Sequence, residues 1–214
     1  MNIFHRHPTD DGKSFSYFDY LERFGIEGCP LCSMVVDREK RYASSLFYEN
    51  VNDVLIRKKF REARGFCEAH SNLLLEAGDP LGLAIIMNDL VAEVIAHPEK
   101  GSVDKDCPLC QFFQEVENRL IDNFPRYLLQ ADFRAKFQTS SGFCYRHYTR
   151  ISKGIKDKSL NQWFLQIHLK LWTEQAALLA ELIEKSDYQH SNDEITSAEL
   201  NSPKWAIKFL CKKR

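Results

Sequence analysis

Six of the chain's seven cysteines fall in motifs whose residue types and spacing suit metal ligation. Cys29-Pro30-Leu31-Cys32 recurs as Cys107-Pro108-Leu109-Cys110. Gly65-Phe66-Cys67-Glu68-Ala69-His70 recurs as Gly142-Phe143-Cys144-Tyr145-Arg146-His147. Two residues separate the cysteines of each first motif, and two separate cysteine from histidine in each second one. Donors spaced i, i+3 point the same way from a helix or tight knuckle. A tetrahedral zinc ion takes four such donors, and Cys₃His is a standard structural set. The expected ligands are therefore Cys29, Cys32, Cys67, His70, Cys107, Cys110, Cys144 and His147, and the expected cofactor is zinc, two ions per chain. Iron or an iron–sulfur cluster is the alternative, because thiolate sites accept both. Chain order groups Cys29, Cys32, Cys67 and His70 around one ion, with a crossed arrangement using Cys144 and His147 left open.

Blander readings account for less. Cysteines that merely fill a core behave as small hydrophobes and predict neither paired spacing nor a matched histidine. A C-x-x-C can be a dithiol redox centre, but the third cysteine and the histidine of each copy have no place in that reading. Seven cysteines also cannot pair completely within one chain. The familiar catalytic signatures are missing: no G-x-S-x-G, H-E-x-x-H, phosphate-binding or dinucleotide loop, and no deaminase glutamate beside the first ligand. A catalytic zinc leaves one position open, whereas each copy offers four protein donors. The expectation leans away from an enzyme.

The elements that carry these motifs read as helices. The copies are offset by 78 residues at the first motif and 77 at the second, and Arg57, Lys59 and Phe60 align with Arg134, Lys136 and Phe137. Two tandem related modules are expected. Proline after the first cysteine suits a helix's first position and puts that cysteine at the N-cap. Apolar residues follow at helical spacing: Leu31, Val35, Tyr42 and Leu46, then Leu109, Phe113, Val116, Leu120 and Phe124. Asn52 or Asp53 can cap a helix that ends at Gly65. Further helices are expected over Leu81–Ala96 and Ser159–Lys185. No alternating strand pattern appears, so the fold class is all-α. The predicted layout is an N-terminal extension (1–17), module one (18–100), module two (101–186), a polar linker (187–202) and an amphipathic C-terminal helix (203–214).

The 214 residues carry 29 basic and 30 acidic side chains, a balance that argues against a nucleic-acid binder. Hydrophobic residues at 44% are enough for a packed core. The polar N-terminus lacks a signal-peptide pattern and no apolar run suffices for a membrane span, so a cytoplasmic protein with reduced thiols is expected. The cluster Glu49, Asn50, Asn52 and Asp53 reads as a turn with an N-cap rather than a ligand site. Arg57, Lys58, Lys59, Arg61 and Arg64 read as a solvated basic face rather than a phosphate grip. Trp205 and Phe209 should dock on the domain while the tail lysines stay in water. His5, His7, His168 and Cys211 stand outside the ligand sets.

The run Gly28–Cys32, then Leu46–Asp53, then Gly65–His70, with a closing segment Ser202–Leu210, resembles an uncharacterised prokaryotic family, a domain of unknown function. The doubled C-P-x-C and G-F-C-x-x-H pattern carries the likeness from about Phe18 to Leu210. The resemblance implies architecture and metal binding and supplies no activity. The functional expectation is a zinc-binding structural or adaptor protein with a protein partner. The alternatives are a thiol-based redox sensor and an iron or iron–sulfur protein.

Overall fold

Residues 13–100, 107–187 and 194–210 are described by a computed structural model. His5, His7 and Cys211 lie outside them. Among the described residues there are ten α-helices and no strand: α1 (Phe15–Arg23), α2 (Pro30–Ser45), α3 (Val54–Ala63), α4 (Glu68–Glu76), α5 (Pro80–Ala96), α6 (Pro108–Tyr127), α7 (Ala131–Gln138), α8 (Tyr145–Gly154), α9 (Lys158–Lys185) and α10 (Ser197–Leu210). A single π-helical turn, Leu46–Asn50, prolongs α2.

Local chemistry explains most of these boundaries. Pro30 and Pro108 are the first residues of α2 and α6, where a missing N–H costs nothing. Asp53 caps α3 by accepting from Leu55 N at 2.8 Å and Ile56 N at 2.9 Å. That helix ends with Arg64 at φ 56° and Gly65 at φ 131°, the left-handed stop that glycine supports. The polar cluster at 49–53 is thus a turn and a cap, as expected. The long helices at Leu81 and Ser159 also form, each starting one residue earlier than expected.

Two helices depart from the expectation. The expected boundary between extension and module at residues 17 and 18 falls inside α1, which runs over residues 15–23 and buries Tyr17 and Tyr20. At the other end, α10 begins at Ser197, six residues before Pro203. The sequence Thr196-Ser197-Ala198-Glu199 is a capping box: Thr196 N donates to Glu199 Oε2 at 2.6 Å and Glu199 N donates to Thr196 Oγ1 at 3.3 Å. Pro203 cannot donate to the Glu199 carbonyl, and Ser202 Oγ does so instead at 2.8 Å.

The chain divides into two compact units, one of residues 1–34 with 119–214 and one of residues 35–118. The second is therefore an insertion within the first in chain order. The first has an aromatic core in which Tyr17, Tyr20, Phe24, Phe124, Phe133, Phe137, Phe143 and Phe164 are buried. In this unit α10 packs on α9 and α8, with the Phe209 ring 5.3 Å from Trp172 and 6.0 Å from Tyr145. Lys204 and Lys208 stay exposed, as expected for the tail. The second unit packs Leu46, Phe47, Phe60, Leu74, Ile86, Leu90, Leu109 and Phe113 together. There the supposed basic face is mostly engaged. Arg57 Nε and Arg61 Nη1 donate to Asp89 at 3.0 and 2.5 Å, and Arg64 Nη2 donates to the His97 carbonyl at 2.8 Å. Those three arginines tie α3 to α5, and of the set only Lys58 and Lys59 are fully exposed.

Candidate metal centres

All eight expected ligands occupy equivalent places on four helix starts. The carbonyls of Cys29, Cys67, Cys107 and Cys144 accept from Ser33, Ser71, Gln111 and Tyr148 N–H at 3.2, 2.9, 3.1 and 2.9 Å. Each of these cysteines is an N-cap, and its partner three residues on lies in the first turn. Side chains at N-cap and third position project past the same helix end, where unsatisfied N–H groups and the macrodipole favour negative charge. Four helices thus present two donors each.

The donors gather crosswise. Cys29 and Cys32 at the start of α2 meet Cys144 and His147 at the start of α8, while Cys67 and His70 of α4 meet Cys107 and Cys110 of α6. Within each group all ligand atoms lie within 4.8 Å of one another. The chain-order grouping of Cys29, Cys32, Cys67 and His70 is therefore replaced by the crossed one, and each compact unit holds one complete group. Helix lengths give the reason. At 1.5 Å per residue the 16-residue α2 carries the chain about 24 Å away, and the 10-residue α3 retraces at most about 15 Å. In the second copy the mismatch is larger, about 30 Å out along the 20-residue α6 against about 12 Å along the 8-residue α7. Neither outgoing helix is matched in length by the helix that follows it.

The spacing matches one ion per group. In the first, His147 Nδ1 lies 3.3 Å from Cys29 Sγ, 3.4 Å from Cys32 Sγ and 3.2 Å from Cys144 Sγ, and Cys32 Sγ is 3.8 Å from Cys144 Sγ. In the second, His70 Nδ1 lies 3.2, 3.5 and 3.3 Å from the sulfurs of Cys67, Cys107 and Cys110, and Cys67 Sγ is 3.6 Å from Cys110 Sγ. A regular tetrahedron with Zn–S near 2.3 Å and Zn–N near 2.05 Å has S···S edges of about 3.8 Å and S···N edges of about 3.6 Å.

Electrostatics explains why such a group calls for a cation. Burial opposes charge on Cys107, but hydrogen bonds from His70 and backbone N–H groups outweigh it and bring its thiol down to about 6. Burial and the neighbouring Cys67 and Cys107 then push Cys110 up to about 12. In the other group, hydrogen bonds from Cys29 and Cys32 hold Cys144 well below the usual thiol range, and the same pairing drives Cys32 far above it. Without a cation each triad stabilises one thiolate at its neighbours' expense; a divalent ion inverts that logic and deprotonates the set.

Neighbouring side chains orient the imidazoles. Glu39 Oε1 on α2 stands 3.8 Å from His70 Nε2, the face opposite the ligating nitrogen, and the His70 ring stacks on Phe113 with centroids 5.8 Å apart. A carboxylate behind a ligating histidine fixes its tautomer and raises its basicity. At His147 the outer nitrogen faces Arg146 Nη2 at 2.9 Å instead. Glu39 belongs to neither cysteine motif, yet the sequence carries a signal for it. It lies seven residues after Cys32, and the matching residue seven after Cys110 is Glu117, which is buried. His168, set apart as a lone helical histidine, is also buried and has a defined task. Its Nδ1–H donates to the Phe164 carbonyl at 2.8 Å and its Nε2 accepts from Phe143 N at 3.1 Å, one residue before Cys144. Gly142, at φ 65°, lets this segment lie close, since a Cβ there would meet Leu171 Cδ1 at 2.9 Å.

Known proteins resemble the chain along nearly all its length. The model of a family described as of unknown function, DUF6062, matches residues 25–102 and again residues 98–213. An uncharacterised 23.9 kDa protein encoded in the xynA 3′ region of Caldicellulosiruptor sp. (strain Rt8B.4) is 23% identical over 201 residues, covering 89% of this chain and 98% of that one. No solved structure matches it significantly. No helix among the described residues is long and apolar enough to cross a membrane.

Proposed function

We propose, for a chain that belongs to DUF6062, a family of unknown function, a zinc-stabilised adaptor whose two ions are structural and whose helical surface meets a protein partner. The observation that carries this reading is the geometry of two four-donor groups at the edge lengths of tetrahedral zinc. Four protein donors fill a tetrahedron and leave no position for substrate, so the ion's contribution is folding energy rather than a reactive water. Edges this short also favour a single ion over an iron–sulfur cluster, whose inorganic sulfides hold the cysteines further apart. The eight ligands Cys29, Cys32, Cys144, His147, Cys67, His70, Cys107 and Cys110 hold the ions, and Glu39 orients His70. Helix starts supply positive potential around each set of three thiolates.

Native mass spectrometry of the purified chain should find two zinc ions, in a colourless sample. A brown protein, or a folded one without metal, overturns the assignment. Cys29, Cys32, Cys67 and Cys110 are each partly exposed, the observation that favours the thiol-sensing alternative. Zinc release by low peroxide, reversed by a reductant, would replace the adaptor reading with that one.

A further inference from the structure

Helix α5 is apolar on two sides. Its inner side buries Gly82, Ile86 and Leu90 in the core of residues 35–118. Its outer side exposes Leu81 (72%), Val91 (55%) and Ile95 (73%), with Ala84, Asn88 and Ala92 also exposed and Ile85 half-buried. The helix carries only two charged residues, Asp89 and Glu93. Asp89 is already held by Arg57 and Arg61. A helix that is apolar all round is normally covered on every side. Contiguous exposed apolar surface of this kind marks an interaction site.

The order of residues along that outer stripe identifies its occupant. Read outward from Asn88 in both directions, Ile85 mirrors Val91, Ala84 mirrors Ala92 and Leu81 mirrors Ile95. A palindromic stripe is what a two-fold axis requires, because in an isologous contact residue i meets residue j and j meets i. Laid antiparallel on a second α5 with the axis at Asn88, each large side chain faces a large one. The alanines face each other and let the backbones approach, and the two Asn88 amides meet at the centre. A single amide pair in an apolar seam sets register. Charge agrees with this direction. Antiparallel packing opposes the two macrodipoles, and no like-charged ends meet, because His97 and Lys100 after α5 already face Glu93 and Glu99. A membrane surface fits less well, since the stripe has no flanking Lys or Arg on the helix itself.

We infer that α5 is a self-association surface and that its partner is α5 of a second copy of this chain, packed antiparallel about Asn88. The 17-residue helix is about 25 Å long, and with a contact strip about 10 Å wide the pair buries on the order of 500 Å² in total. That is below the roughly 1,200 Å² of stable complexes, so the dimer is reversible and concentration-dependent.

Sedimentation equilibrium of the full chain purified with its metal should show a monomer–dimer equilibrium over the micromolar range. Ala84→Glu should weaken it at least tenfold while helicity and melting temperature stay unchanged, because position 84 is solvent-exposed. Under mild oxidation Asn88→Cys should cross-link to itself, whereas Leu81→Cys should cross-link only when mixed with Ile95→Cys. A chain that stays monomeric at all concentrations, an Ala84→Glu variant that still dimerises, or self-cross-linking by Leu81→Cys overturns the proposal. These readouts are independent of which metal the chain holds.

Discussion

Cys144 and His147 share a centre with residues more than a hundred positions earlier in the chain, and pairs of substitutions read that grouping directly. Cys29→Ser combined with Cys144→Ser damages one centre, so the protein should keep one zinc ion per chain. Cys29→Ser combined with Cys67→Ser damages both, and the bound metal should fall toward zero. Grouping by chain order predicts the reverse outcome for these two variants, and metal content by mass spectrometry distinguishes them. That these eight residues carry paired donors was legible in the sequence because i, i+3 spacing and N-cap preference are local properties. Their grouping was not, because it depends on the difference in length between outgoing and returning helices. Glu39 was overlooked for a related reason: a glutamate at helical spacing from a cysteine looks like a surface residue until His70 of another helix is placed against it.

Helix α9 contributes to the first centre without touching its ligands. His168, fully buried, bridges the Phe164 carbonyl and the Phe143 N–H, so it holds the segment that delivers Cys144 to the start of α8. The bond accepted by Nε2 requires the neutral imidazole, because a protonated Nε2 has no lone pair to offer Phe143 N–H. Burial lowers its basicity, to about 4. An unfolded histidine titrates near 6.5, so between roughly pH 6.5 and 4 the unfolded chain binds the extra proton and stability rises with pH. Acidification through that window should therefore cost about 3 kcal/mol from this group, the full neutral-form advantage being present above pH 6.5. Denaturant unfolding of the metal-loaded protein at several pH values checks this. His168→Phe should be less stable at pH 7 yet lose less on acidification, with loss of metal common to both proteins. Equal slopes would remove the role given to His168. The sequence indicated α9 almost to the residue through its apolar period, but a lone histidine in such a helix carries no local sign of what it bonds. The early start of α10 was legible in principle, since Thr196-x-x-Glu199 is a capping box; the polar composition of the preceding residues masked it.

Across the whole chain, the halves that repeat in sequence are not the units that each gather a ligand group. The family match follows the repeat, at residues 25–102 and 98–213, and each of those segments contains four of the eight ligands. Each complete ligand group nevertheless combines one motif from each half. The first centre links Cys32 and Cys144, 112 residues apart, and the second links Cys67 and Cys110, 43 apart. Closing loops of these sizes by covalent cross-links would remove about 5 and about 4 kcal/mol of unfolded-chain entropy, so an ion bound by each group would act as a long-range staple. A chain cut between Lys100 and Cys107 tests this topology. Chain-order modules would yield two halves that each fold and hold one zinc ion. The crossed centres predict that neither half alone reaches a full ligand set, so each should be poorly helical and bind zinc weakly. Mixing the halves with zinc should restore helicity and give a 1:1 complex holding two ions, because every centre then regains its second pair of donors. Circular dichroism of the separate and mixed halves, with native mass spectrometry of the mixture, decides it. Independent folding of either half with one tightly held ion would refute the crossed arrangement.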